Sequence, residues 1–291
     1  MKPSAFEYHR PTTPEEAAEL LTEFGDDAKL IAGGQSLMPM LNLRLAAFEH
    51  LIDIRGLTDL AGITHDSDSI VIGATTNQAT VGLSTTVLES VPLLSRATPL
   101  IGHFPIRNRG TLGGSVAHAD AAAEYPAVAL TLDAELEALS SSGRRTIPAS
   151  EFFTGMWTTA LRDDEILTKV TFPVREGRCG FAINEFSRRK GDFAMAGACV
   201  AVKIDDSSRV ESCSIGLFGL GSIPMRATST ERSLVGCSID DLQVRDVGHA
   251  AVSDLESVPA DLHGSAAYRT RVGATMVARA LKSALEEAID D

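Results

Sequence analysis

The chain has 291 residues, 44% of them hydrophobic and 22% charged, which is an ordinary globular composition long enough for two or three domains. With 26 Lys and Arg against 39 Asp and Glu the formal net charge is −13, a sign that repels phosphate backbones and excludes nucleic acid as an expected partner. Nowhere do about 18 uncharged apolar residues run together, so no transmembrane segment is expected. Lys2, Glu7 and Arg10 interrupt the start too early for a secretory leader, which points to the cytoplasm.

In chain order, Thr12-Thr13-Pro14-Glu15-Glu16 spells a helix start: a capping hydroxyl, a proline at the first position and acids in the first turn. Ala17, Leu20, Leu21 and Phe24 follow at helical spacing until Gly25. Lys29 to Ala32 predicts a short buried strand, Met38 to Leu45 a short helix and His50 to Ile54 a second strand. Ser69 to Gly73 predicts another strand, and Val87, Leu88, Val91, Leu94 and Ala97 the apolar face of a helix broken at Pro92. The segment from Ile101 to Gly110 is irregular and basic. Ala121 to Leu132 suits a helix, and Glu135 to Leu139 and Arg144 to Ile147 a hairpin about the turn Ser140 to Gly143. A boundary is expected at Val174 to Gly177. Beyond it, Met195 to Ile204 and Val210 to Leu220 are candidate strands. A closing helix from about Ser265 to Glu287, with Val272, Met276, Ala280 and Leu281 on one face, completes an α+β domain.

Two short stretches carry the chemistry. Leu30-Ile31-Ala32-Gly33-Gly34-Gln35-Ser36-Leu37 is an apolar run ending in paired glycines, an amide and a hydroxyl, and it returns in altered form as Thr111-Leu112-Gly113-Gly114-Ser115. Adjacent glycines let successive N–H groups converge on one anion, and a following helix start adds its free N–H groups. Two such loops predict a diphosphate gripped from both sides, against the simpler reading that both are tight turns.

Other chemistries find less support. Asp53 ends a strand about 20 residues after Gly33, where a dinucleotide fold places its ribose-binding acid. However, Gln35 and Met38 replace the second and third glycines of Gly-x-Gly-x-x-Gly, leaving a Rossmann-type NAD-dependent dehydrogenase as the alternative. Ser36 and Ser115 lie outside any Gly-x-Ser-x-Gly elbow, and the seven histidines include no His-x-x-x-His pair. The cysteines Cys179, Cys199, Cys213 and Cys237 are widely spaced, as free core thiols would be, so neither an iron–sulfur cluster nor structural zinc is expected on this chain. His118 could serve as acid or base beside the second loop, although a positioning role is the simpler reading. Arg188-Arg189-Lys190, beside Gly191-Asp192-Phe193-Ala194, reads as a solvated turn.

Taken together, Ala32 to Ser36, the run Ile106-Arg107-Asn108-Arg109-Gly110-Thr111-Leu112-Gly113-Gly114-Ser115, its continuation through His118, Asp120 and Glu124, Gly191 to Ala194, and His263 to Arg269 resemble the FAD-binding medium subunit of molybdenum hydroxylases. That family includes aerobic carbon monoxide dehydrogenase and xanthine dehydrogenase. The resemblance implies a vanillyl-alcohol-oxidase-like (PCMH-type) FAD domain over residues 1–175, in subdomains of about 1–56 and 57–175, then a C-terminal α+β domain over 176–291. It implies that Leu30, Ile31, Ala32, Gly33, Gly34, Gln35, Ser36 and Leu37 wrap the FAD pyrophosphate while Thr111, Leu112, Gly113, Gly114 and Ser115 clamp it. Asp120 and Glu124 would reach the flavin and ribityl region, Ile101 and Leu167 would give apolar contacts, Asn184 a polar one, and Phe193 the aromatic by the ring. No catalytic triad and no metal on this chain are implied.

The same resemblance places 2Fe–2S clusters on a small partner subunit and a molybdenum-pterin cofactor on a large one, and implies a dimer of heterotrimers. Electrons would leave through FAD to NAD, a quinone, O₂ or a carrier protein. Gln35 stands where carbon monoxide dehydrogenases more often carry His, which favours an aromatic N-heterocycle or related hydroxylation over CO, with an aldehyde also open as the substrate. A non-catalytic assembly subunit with vestigial loops is the second alternative.

Overall fold

In a computed structural model describing residues 2–290, the chain forms three sheets that each pack under helices, with one small additional hairpin. The first sheet contains β1 (Glu7–His9), β2 (Ala28–Ile31) and β3 (His50–Asp53), all parallel in the order β1-β3-β2. Helix Pro14–Phe24 makes the crossover from β1 to β2. Its start follows from the sequence: Thr13 Oγ1 accepts the Glu16 N–H at 3.1 Å, and the Glu16 carboxylate accepts the Thr12 N–H at 2.6 Å. Ala17, Ala18 and Leu21 face the core, and Gly25 ends the helix at φ +51°.

The second unit has strands β4 (Ile63–Asp66), β5 (Ser69–Gly73), β6 (Glu135–Ser140), β7 (Gly143–Pro148), β8 (Phe153–Gly155), β9 (Thr158–Thr159) and β10 (Ile166–Pro173). Five of them form an antiparallel sheet in the order β4-β5-β10-β6-β7, and β8 pairs with β9. Ile70, Ile72, Leu136 and Phe172 pack with Leu93, Leu94 and Tyr125 from the helices above. The helix expected across Val87 to Ala97 is two, Thr85–Ser90 and Pro92–Ala97, because Pro92 cannot donate within a continuous helix; Leu88 is exposed rather than on the buried face. The helix expected from Ala121 starts later, as Glu124–Thr131, because Asp120 Oδ1 accepts the Ala122 N–H at 2.9 Å and holds the preceding residues in a turn.

Beyond it come β11 (Cys179–Phe186), β12 (Ala196–Ile204), β13 (Val210–Phe218) and β14 (Met225–Arg226), antiparallel in that order. β12 is buried on both faces, which is why its sequence is nearly all apolar. Val200 and Val202 meet Val277 and Leu281 of the long helix Ala266–Asp290, while Cys199 and Ala201 join the core of the second unit. The cysteines form no disulfide, and Cys179, Cys199 and Cys213 are buried. Glycines allow the closest approaches: a Cβ at Gly180 would lie 1.7 Å from Ala284 O of the long helix, and one at Gly216 would lie 1.9 Å from Thr131 Oγ1. No helix among the described residues is long and apolar enough to cross a membrane.

Candidate functional site: a two-loop cofactor cleft

β2 delivers the chain to the first glycine pair, and the turn that follows opens the six-residue helix Leu37–Asn42. Gly34 has φ +69°, the left-handed conformation that glycine takes without strain. Met38 N–H donates to Gly34 O, and Gln35 Nε2 donates to Gly33 O at 2.9 Å, so the amide folds back on its own loop. The backbone N–H groups of Gly33, Gly34, Gln35, Ser36 and Leu37 meet no acceptor among the described residues. Five consecutive unpaired donors on a partly exposed turn are what an anion would use.

The second loop is built differently. Thr111 caps the helix Leu112–His118, its Oγ1 accepting the Gly114 N–H at 3.0 Å. Leu112 N–H donates to Thr76 O, Gly113 N–H to Ala74 O and Ser115 N–H to Thr111 O. These donors are spent within the protein, so this loop can offer a ligand shape and the Ser115 hydroxyl rather than a set of free N–H groups. Its position is fixed by contact: a Cβ on Gly113 would lie 2.4 Å from Ala74 Cβ, and one on Gly33 would lie 2.3 Å from Arg109 O. Gly33 therefore seats the first loop directly against the backbone that leads into the second.

Between the loops runs a cleft of about 750 Å³, within the range of cofactor pockets. Every residue assigned to the cofactor from sequence lines it except two. Leu112 is fully buried in the core of the second unit, and Asn184 lies on β11 away from the cleft wall. Sequence reasoning missed Trp157, Gln78, Lys29 and Arg162, which also line it. Trp157 sits at φ +53° in the β8–β9 turn, its ring stacked on His118 at 6.3 Å between centroids and its Nε1–H 3.5 Å from Asp120 Oδ2. The chain's one tryptophan, just after Gly155-Met156, was the available signal. Gln78 Oε1 is buried without a partner among the described residues, an unusual state for an amide unless a ligand completes it. Lys29 and Arg162 supply local positive charge in a chain that is acidic as a whole.

Asp53, the acid a Rossmann reading requires, is not in the cleft. Its carboxylate is taken by the Tyr8 hydroxyl and by Arg55, which donates from Nη2 at 2.8 Å and Nε at 3.1 Å. With only three parallel strands in that sheet and no doubly wound layer, the NAD-dehydrogenase alternative is overturned.

The acids behave according to burial. The Glu124 carboxyl, almost wholly buried and facing Glu185 and Asp120, is pushed up to about 8; Glu185, whose Oε2 has no partner among the described residues, is pushed up to about 7 by desolvation. Burial holds His118 below its ordinary value despite Asp120 nearby, so its imidazole is neutral at physiological pH. For a carboxyl whose folded pKa is raised, unfolding releases a proton between the ordinary value of 4.5 and about 8. Stability accordingly falls as pH rises through that window. Glu124→Gln is expected to remove the Glu124 part of this slope, so that its Tm advantage over the parent is larger at pH 8 than at pH 5 when both are measured by thermal unfolding.

A cleft whose walls present unpaired backbone donors and glycine-enforced loop contact suits a phosphate-bearing nucleotide cofactor. Residues 4–175 match the family described as the FAD binding domain in molybdopterin dehydrogenase, and residues 181–284 match the CO dehydrogenase flavoprotein C-terminal domain. The 6-hydroxypseudooxynicotine dehydrogenase complex subunit alpha of Paenarthrobacter nicotinovorans is 42% identical, covering 99% of this chain and 97% of its own. Carbon monoxide dehydrogenase from Hydrogenophaga pseudoflava, solved without the Mo-pyranopterin moiety, superposes with a TM-score of 0.95 at 37% identity over 99% of each chain. Quinoline 2-oxidoreductase from Pseudomonas putida 86 superposes with a TM-score of 0.94 at 33% identity, covering 99% of this chain and 100% of that one. The chain belongs to the FAD-binding medium subunits of the molybdenum hydroxylases, with a PCMH-type FAD domain followed by the family's C-terminal domain.

Proposed function

We propose that this chain is the electron-exit subunit of a three-part hydroxylase, in which a small 2Fe–2S subunit feeds it and a large molybdenum-pterin subunit oxidises the substrate. The observation that carries the reading is the row of unpaired N–H groups from Gly33 to Leu37, held against Arg109 by the absence of a Cβ at Gly33. Bound FAD supplies the redox chemistry, accepting electrons and passing them to an external acceptor.

The chain's own residues bind and orient it. The first loop would hold the pyrophosphate by backbone donors, and Thr111 to Ser115 would close the other side by shape. Ile101 and Leu167 supply apolar walls, and Phe193, exposed at the mouth, offers a face to the ring system. Trp157 and His118 flank the cleft near Asp120. Burial pushes the Glu124 carboxyl up to about 8, so it holds its proton at neutral pH and adds no negative charge beside the cofactor. Leu112 would act only through the core, and Asn184 by way of β11. On the same reading the FAD domain spans 1–175 and the closing domain 176–291, the assembly is a dimer of heterotrimers, and the complex works in the cytoplasm.

For the substrate class, quinoline and a nicotine derivative stand in the names of two relatives above and CO in that of the third; an N-heterocycle is the class proposed. Gln35 bonds to its own loop, so it marks the shape of the cofactor site rather than touching a substrate. Purification of the native complex tests the assembly. Two further subunits carrying iron and molybdenum, with N-heterocycle-dependent bleaching of the flavin, are expected; a chain that purifies without such partners contradicts it.

A further inference from the structure

On the first sheet, away from the cleft, three potential ligands meet. β1 and β3 are parallel neighbours with Glu7 opposite His50, and residues two apart on a strand share a face, so Glu7, His9 and His50 project together. His9 Nε2 and His50 Nδ1 are 3.0 Å apart, Glu7 Oε2 is 3.7 Å from His50 Nδ1, and the three ligand atoms all lie within 4.8 Å of one another. We propose that Glu7, His9 and His50 form a binding site for a divalent transition-metal ion of the zinc class.

The distances suit that chemistry. Ligand atoms that share an ion at roughly 2.0–2.1 Å stand about 3–3.5 Å from each other, which the imidazole pair nearly reaches and the carboxylate reaches by a small rotation. Two imidazoles and a carboxylate select zinc, copper or nickel over magnesium or calcium. The rings are already oriented: Phe24, from the end of helix Pro14–Phe24, stacks on His50 with centroids 3.9 Å apart and planes at 12°, and lies 4.9 Å from the His9 ring. A direct hydrogen bond between the two imidazoles would use one nitrogen of each and leave Glu7 only a long ion pair to His50 at 3.7 Å. An ion uses all three, leaves its outer positions to water beside the exposed Glu7, and clips β1, an edge strand with only three paired residues, onto the central strand.

None of the three lines the cofactor cleft, and sequence spacing hid them because His9 and His50 are far apart in the chain and Glu7-x-His9 is a strand pattern rather than a helical one. The test uses the full chain titrated with Zn²⁺ by calorimetry and with Co²⁺ by ligand-field absorption, alongside thermal unfolding. One ion per chain and a zinc-dependent rise in Tm are expected. His9→Gln and His50→Gln, each checked for native circular dichroism and flavin content, should weaken binding by at least roughly the tenfold that even outer-shell partners are worth. Absence of Zn²⁺ and Co²⁺ binding by the parent chain at hundred-micromolar ion overturns the proposal. So does unchanged affinity in the folded double variant His9→Gln, His50→Gln.

Discussion

Gly33→Val is expected to lower FAD affinity about a hundredfold, a loss of about 2.8 kcal/mol at about 1.4 kcal/mol per decade. The reason is steric rather than conformational. Its Cβ would lie 2.3 Å from Arg109 O and 2.6 Å from Gly110 Cα, both backbone atoms that cannot rotate aside. Relief requires the first loop to lift from the second, which widens the cleft where the five free donors act together. Gly114→Val is the comparison: its Cβ would lie 2.7 Å from Thr111 Oγ1 and 3.6 Å from Ala32 Cβ, so the strain falls on a side-chain cap and the affinity loss should be smaller. Flavin content after dialysis and a titration by fluorescence quenching measure both. Parent-like affinity in Gly33→Val would show that contact between the loops is dispensable for binding.

Gly180→Val should abolish stable folding of the C-terminal sheet. The added Cβ would stand 1.7 Å from Ala284 O and 2.9 Å from Ala288 N, inside the backbone of the helix that covers β11 and β12. Overpacking usually costs about 1–3 kcal/mol, but here neither partner can yield without sliding a 25-residue helix off its sheet. A penalty above about 4 kcal/mol is expected, a large part of the 5–15 kcal/mol that holds an ordinary domain together. Gly56→Ala is the control, since no heavy atom lies within 4 Å of its Cβ position. Denaturant unfolding and soluble yield report the difference; equal midpoints for Gly180→Val and the parent would refute the packing account.

The sequence disclosed elements wherever local chemistry decides structure. Thr13, Pro14, Glu16 and Gly25 wrote both ends of helix Pro14–Phe24, and alternation about Ser140 to Gly143 wrote the β6–β7 hairpin. Elements defined by tertiary contact were hidden. β11 carries Gly180 where a helix rests on it and reads as no strand, and the two-residue β14 exists only through pairing with β13. Helices Thr228–Leu234 and Val244–Ala251 lie in polar stretches whose register the packing sets. At the site, both glycine loops were legible, yet their likeness misled: only the geometry separates a loop with free donors from one whose donors are spent on Thr76, Ala74 and Thr111. Gln78 and Trp157 could not be found from spacing, because the fold brings them to the cleft from separate segments.

The most direct measurement of the cofactor assignment is a titration of the purified full chain with FAD, followed by absorption after removal of free ligand. The account predicts a yellow protein with one flavin per chain, and much weaker retention in Gly33→Val. A chain that stays colourless with FAD at tens of micromolar, while native by circular dichroism, would contradict it.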